Sequence, residues 1–158
     1  MQATAERVTK SRPFPWRCFC CRQREVFLTT IPYSVEVNHD GFVHSVTVDA
    51  LEVPRCQACG ELVFDSGADH QINAALRSQL HLLTPDDLRS GRQRLGITRR
   101  ELADGLGVNE ETIADWEEGL TIQSRAMDNL LRVYFALPEV RAVLIGKEQD
   151  PALGVVVG

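Results

Sequence analysis

Cys18 and Cys21 are separated by two residues, and so are Cys56 and Cys59. Two intervening residues let a tight turn set both sulfurs on one side of the chain, and two such turns facing each other supply four thiolates to one ion. Gly60 follows the second pair, where a turn beneath a metal tolerates positive φ. The pattern predicts one Zn2+ held by Cys18, Cys21, Cys56 and Cys59, with four buried free cysteines as the competing reading. Zinc is favoured over iron by the β character of the intervening chain. Four thiolates leave no open coordination position, so the predicted site is structural and not catalytic. A redox role fits less well, because two pairs are present and neither opens a helix in a βαβ pattern. Cys20 is the fifth thiol; pairing it with Cys18 gives a C-x-C, a poorer fit, and it reads as a spectator. His39, His44, His70 and His81 are not spaced with a cysteine as a finger requires, and read as surface or half-buried residues.

The chain that must position these sulfurs has 158 residues, enough for one ordinary domain or two small ones. Hydrophobic residues make up 44% and charged residues 25%, ordinary values for a chain with a packed core. No apolar run approaches the roughly 18 residues of a transmembrane helix, and the N-terminus lacks the apolar stretch of a secretory signal. The expected compartment is the cytoplasm, where thiols stay reduced. The net charge of −5 counts against nucleic-acid binding until its distribution is examined. Residues 1–24 hold six Lys or Arg and one acid, whereas residues 84–137 hold seven bases and ten acids.

The pattern changes near residue 83. From Glu25 to Val53 β-branched residues alternate with polar ones, and Asp40-Gly41 is a two-residue hairpin signal. A helix begins at Asp65 or Ser66, with Ser66 and Asp69 spaced as a capping box, and puts Ile72, Ala75, Leu76 and Leu80 on one face. Thr84-Pro85-Asp86-Asp87 opens a second helix that stops near Gly96. Thr98 and Glu101 form another capping box for a short helix through about Asp104, after which Gly105 and Gly107 are expected to make a tight turn. Asn109 caps a helix ending at Gly119. Ser124 starts the next, with Met127, Leu130, Leu131 and Tyr134 inward, and Pro138 opens a last one through Leu144. The expected fold class is α+β: a small N-terminal β zinc ribbon followed by an all-α, five-helix domain. The expected limits are a flexible basic arm at 1–13, the ribbon at 14–65, a linker helix at 66–83, the helical domain at 84–145 and a loose tail at 146–158.

Residues 98–119, two short helices about a glycine-containing turn, have the layout of a helix-turn-helix. Leu95, Gly96, Thr98, Glu101, Leu102, Ala103, Leu106, Gly107, Val108, Thr112, Ile113, Trp116, Glu117 and Gly119 carry a pattern that resembles the XRE/Cro-type motif. Joined to the upstream cysteine pairs, it resembles the zinc-ribbon plus helix-turn-helix proteins of the YgiT/MqsA type over residues 14–145. That resemblance implies a dimeric transcriptional regulator that binds duplex DNA, in some members the antitoxin of a type II pair that binds a toxin. DNA would meet the N-terminal part of the second helix of the motif. The candidate contacts are Arg99, Arg100, Asn109, Glu110, Glu111, Thr112 and Asp115.

The sequence departs from the family at that point. Relatives place an amide or small polar residue at Glu111 and an arginine or similar at Asp115. A carboxylate can accept from cytosine N4, but five acids within residues 110–118 repel phosphates. Arg99 and Arg100, Arg89, Arg92 and Arg94, and the N-terminal Arg7, Lys10, Arg12, Arg17, Arg22 and Arg24 offer compensation, Arg99 foremost as a phosphate contact. The alternative function is a protein-interaction module of the same fold whose acidic recognition helix no longer reads DNA. An enzyme is not expected: no nucleophile is placed with a base, and no glycine loop or open metal site is present. Homodimerisation is expected, with Val140, Val143, Leu144 and Ile145 as the surplus apolar surface.

Overall fold

The computed structural model describes residues 12–146. The arm expected at 1–13 and the tail expected at 146–158 lie outside them, apart from Arg12, Pro13 and Gly146. Two strands, β1 (Val26–His39) and β2 (Phe42–Cys56), form an antiparallel hairpin. Six helices follow: α1 (Ser66–Gln79), α2 (Pro85–Arg94), α3 (Arg99–Leu106), α4 (Glu110–Glu118), α5 (Arg125–Ala136) and α6 (Pro138–Leu144). The chain is therefore α+β, with the linker helix followed by five more. Asp40 (φ 53°) and Gly41 (φ 78°) form the hairpin turn. Two left-handed residues match the strand twist, which is why this dipeptide marks a hairpin. The register follows from that two-residue loop and brings Ser34 Oγ to 3.0 Å from Thr47 Oγ1.

The chain groups into two compact units. One comprises residues through Tyr33 together with Asp49–Ala68; the other comprises Ser34–Val48 and the chain from Asp69 onward. In the first, Cys18, Val26 and Cys56 are buried, with Trp16, Cys21 and Val63 packed against them. In the second, Leu88, Leu102, Ala103, Leu106, Ile113, Trp116, Leu131 and Tyr134 make one core. The capping residues read from the sequence make their bonds: Thr84 with Asp87, Thr98 with Glu101, Asn109 to the Thr112 amide and Ser124 to the Met127 amide. For α1 the cap is Asp65, whose Oδ1 accepts from the Gly67 and Ala68 amides, rather than the expected Ser66–Asp69 box. A carboxylate one residue earlier reaches the first free N–H groups directly.

Gly105 also departs from expectation. It is a buried residue inside α3, which runs on to Leu106 and ends at Gly107 (φ 75°). A Cβ on Gly105 would stand 2.6 Å from Tyr134 Oη. The glycine is there because α3 and the α5 tyrosine approach too closely for any side chain, not because the backbone turns.

Two buried polar networks lock the second unit. The Glu117 side chain is fully buried; Arg92 donates to it twice, at 2.6 and 3.1 Å, and Arg99 once, at 2.8 Å. Burial alone would raise this carboxyl, but those hydrogen bonds hold it below the usual carboxylate range. Asp128, also buried, accepts from the Leu83 amide at 2.7 Å, from Gln123 Nε2 at 3.1 Å and from Arg132 at 2.7 Å. Burial would raise it too, and the Arg132, Leu83 and Gln123 bonds hold it down. Arg77 of α1 donates to the Trp116 and Thr121 carbonyls at 3.3 and 2.5 Å, anchoring the linker helix to the end of α4. At the hairpin tip, Asp40 accepts from the Arg125 amide at 2.7 Å, at the start of α5.

Two predictions follow from this packing. Gly105→Ala should destabilise the protein by roughly 1–2 kcal/mol, overpacking outweighing alanine's better helix propensity. Adding Tyr134→Phe, which removes the nearest atom, should recover part of that loss in chemical denaturation. Second, depressed carboxyl pKa values mean that the unfolded chain binds more protons in acid. The stabilisation from Glu117 and Asp128 is present above the ordinary carboxylate pKa and is lost as pH falls below it. Melting temperature should therefore drop below about pH 4. Glu117→Gln should melt lower at pH 7 and lose less on acidification; an unchanged acid limb would contradict the assignment.

Candidate metal centre and nucleic-acid interface

Helices α3 and α4 form the two halves of the helix-turn-helix. Left-handed Gly107 ends α3, and Asn109 starts α4. Asn109 Oδ1 accepts from both the Thr112 amide (2.8 Å) and the Thr112 hydroxyl (2.7 Å), so both side chains are engaged in the cap. Glu110 and Glu111 are exposed in the first turn of α4, and Asp115 is half-buried one turn on. None of the three forms an ion pair among the described residues. Acids at a helix N-terminus are stabilised by the helix dipole, which accounts for two of them without any ligand. Arg99, foremost among the phosphate candidates, has its guanidinium on Glu117 and, at 3.5 Å, on Glu118. Arg92 is tied to the same Glu117 carboxylate, and Arg89 donates to the Glu117 carbonyl at 3.0 Å. Arg94 and Arg100 are exposed and hold no such pair among the described residues. Sequence spacing could not show this division, because α2 and α3 meet Glu117 only in the folded chain.

The four cysteines converge. Their sulfurs all lie within 4.8 Å of one another. Cys18 and Cys59 are 3.6 Å apart, as are Cys21 and Cys56. A tetrahedron of sulfurs at the bond length of a zinc thiolate site has edges of about 3.8 Å. The donor set therefore fits a four-thiolate metal ion, and no disulfide joins any of these residues. Cys20 is exposed and outside the cluster. No histidine belongs to it.

Each cysteine pair sits in the same hydrogen-bonded frame. The Cys18 amide donates to the Gln23 carbonyl and the Cys56 amide to the Glu61 carbonyl, both at 2.8 Å. The Arg22 and Gly60 amides close the turns onto the Cys18 and Cys56 carbonyls. Arg22 (φ 66°) and Gly60 (φ 81°) occupy the same left-handed position. Arg17 Nε donates to the Arg22 carbonyl at 3.2 Å, and Arg55 Nε to the Gly60 carbonyl at 3.3 Å. Residues 17–22 and 55–60 are thus structural twins, each an arginine, a C-x-x-C and a left-handed residue. From the sequence alone Arg17 reads as one of the N-terminal cations and Arg55 goes unmarked; only their matching bonds reveal the role.

The frame also tunes the thiols. Backbone hydrogen bonding from Cys21 draws the Cys18 thiol down to about 7 against the opposing effect of burial. At Cys59 the Glu61 backbone would lower the pKa, but burial and the three neighbouring sulfurs push it up to about 12. Four thiolates crowd each other unless a cation sits among them. Cys21→Ser or Cys59→Ser should abolish stoichiometric metal binding, measured by elemental analysis, and lower the melting temperature. A strong chelator should reproduce the loss in the unmutated chain, and unchanged melting after complete metal removal would refute a structural site.

With that geometry in place, one comparison with known proteins bears on α2 through α5. A family model described as helix-turn-helix, of the XRE type, matches residues 88–134, from Leu88 of α2 to Tyr134 of α5. No curated protein matches the chain. No helix among the described residues is long and apolar enough to cross a membrane. The chain thus carries a helix-turn-helix of the kind that suggests a DNA-binding regulator, and a four-cysteine cluster able to hold a metal ion.

Proposed function

We propose that the protein is a transcriptional regulator that binds duplex DNA through α3 and α4 and holds one structural Zn2+ on Cys18, Cys21, Cys56 and Cys59. The observation that carries this reading is the match of residues 88–134 to the helix-turn-helix family, with the first turn of α4 exposed. Zinc is preferred because a closed set of four thiolates in a β context suits a tetrahedral ion without redox chemistry. Zinc bound there would supply a crosslink in a unit with few buried apolar side chains. Arg100 is the preferred phosphate contact, since Arg99 is held by Glu117. Glu111 and Asp115 would act as acceptors toward base edges.

The resemblance to YgiT/MqsA-type proteins extends this reading to an antitoxin that forms a complex with a toxin. A homodimer acting on a two-fold site is supported by the exposed Leu137, Val143, Leu144 and Ile145. No catalytic role is assigned.

The test is fluorescence anisotropy of the full-length chain against duplexes that include its own promoter, at two salt concentrations. Selective binding that weakens steeply with salt is expected. Arg100→Ala should lower affinity for all duplexes and reduce the salt slope by about one. Asp115→Arg should raise affinity for all duplexes by removing a carboxylate from the phosphate field, and should lower selectivity by removing a base acceptor. Absence of selective binding by folded, metal-loaded protein would discard the reading in favour of a protein-interaction module built on the acidic α4.

A further inference from the structure

The twin knuckles provide an internal control. Both turns need an arginine before the first cysteine and a left-handed residue after the second, and Arg17 and Arg55 play the first part alike. The remaining positions differ in one direction. Where the second knuckle has Gln57, Gly60, Glu61 and Leu62, the first has Phe19, Arg22, Gln23 and Arg24. One knuckle is acidic there and the other doubly basic with an aromatic ring. The metal frame does not require the change, because the second knuckle achieves the same hydrogen bonds without it.

Arg22 carries a conformational penalty as well. Its φ of 66° is a region that a side chain with a Cβ enters at a cost of about 1–2 kcal/mol, and that glycine enters freely. The twin position is occupied by Gly60. An arginine kept where glycine is the better residue points to a use for its side chain.

That use is suggested by the surroundings. Arg22 and Arg24 line a cleft of about 750 Å³ with Arg12, Trp16 and Phe19. Asp65 is the one carboxylate lining it among the described residues, and its Oδ1 is engaged by the α1 amides. Arg12, Arg22 and Arg24 form no ion pair among the described residues, in a chain whose net charge is −5. Phe19 is 83% exposed. Free guanidinium groups beside a bare ring suit a ligand with both phosphates and flat bases, which a duplex hides in its stack and a single strand presents.

We infer that the cleft beside the first knuckle is a binding site for single-stranded nucleic acid, whose phosphates pair with Arg12, Arg22 and Arg24 and whose bases stack on Phe19. The site lies outside the helix-turn-helix and does not depend on the regulator reading. An acidic peptide would satisfy the charges but has no need of the exposed ring.

The experiment uses the full-length chain and a fluorescently labelled strand of twelve thymidines. Binding is expected, with a logarithmic salt slope near −2 for three phosphates neutralised. Phe19→Ala should weaken it roughly tenfold with little change in salt slope. Arg22→Gly should weaken it severalfold and flatten the slope while leaving the melting temperature unchanged or raised, since glycine relieves the left-handed backbone. Failure of the strand to bind, indifference to both substitutions, or equal competition by oligoglutamate would each overturn the inference. Duplex binding that survives such a failure would leave the regulator reading intact.

Discussion

Glu117 has no access to water, yet it lies in the helix that the helix-turn-helix would present to DNA. A buried carboxylate is tolerated only when its charge is matched and its lone pairs are used. Arg92 from α2 and Arg99 from α3 do both, so three helices are pinned at one group. Removing both arginines would leave an uncompensated buried charge, which costs about 3–5 kcal/mol. The orientation of α4 therefore depends on this carboxylate as much as on the apolar core beneath it. The same constraint reorganises the electrostatics of the exposed face. It withdraws two arginines that would otherwise be available to phosphates and leaves Arg100 and Arg94 as exposed cations at the motif.

A second network, centred on Asp128, Gln123 and Arg77, does comparable work where backbone groups would be stranded. The chain leaves α1 through the half-buried Leu83 and leaves α4 through Thr121. Gln123 donates to the Leu83 carbonyl, Asp128 accepts from the Leu83 amide, and Arg77 covers the Thr121 carbonyl. These bonds tie α1 and the loop after it to the helices that follow. The cysteine unit uses a different device. Beyond the cysteines its fully buried apolar residues are Val26, Leu51, Val53 and Ala68, and the four sulfurs add a crosslink to that small core. A unit of that size gains stability from a crosslink more readily than from packing.

Much of the architecture is readable along the chain because its causes are local. The Asp40-Gly41 turn, the boxes at Thr84 and Thr98, and the caps at Asn109 and Ser124 all join residues two or three positions apart. The spacing of the four cysteines was equally explicit, because C-x-x-C is a statement about one turn. Gly105 was not readable in this way. A glycine near Gly107 suggests a turn, and only the approach of Tyr134, from a helix some thirty residues on, shows that the missing side chain is a matter of space.

The sequence by itself determined the order of elements, the convergence of two cysteine pairs and the helix-turn-helix pattern, since each follows from short-range periodicity, capping and turn chemistry. Tertiary structure alone decided which arginines are free. Arg99 and Arg100 are neighbours of the same type, and no local rule separates them. Folding turns one toward a buried carboxylate eighteen residues away and leaves the other in solvent. Ion pairing of this kind depends on where distant helices cross, a property of the packed core and not of any segment within it.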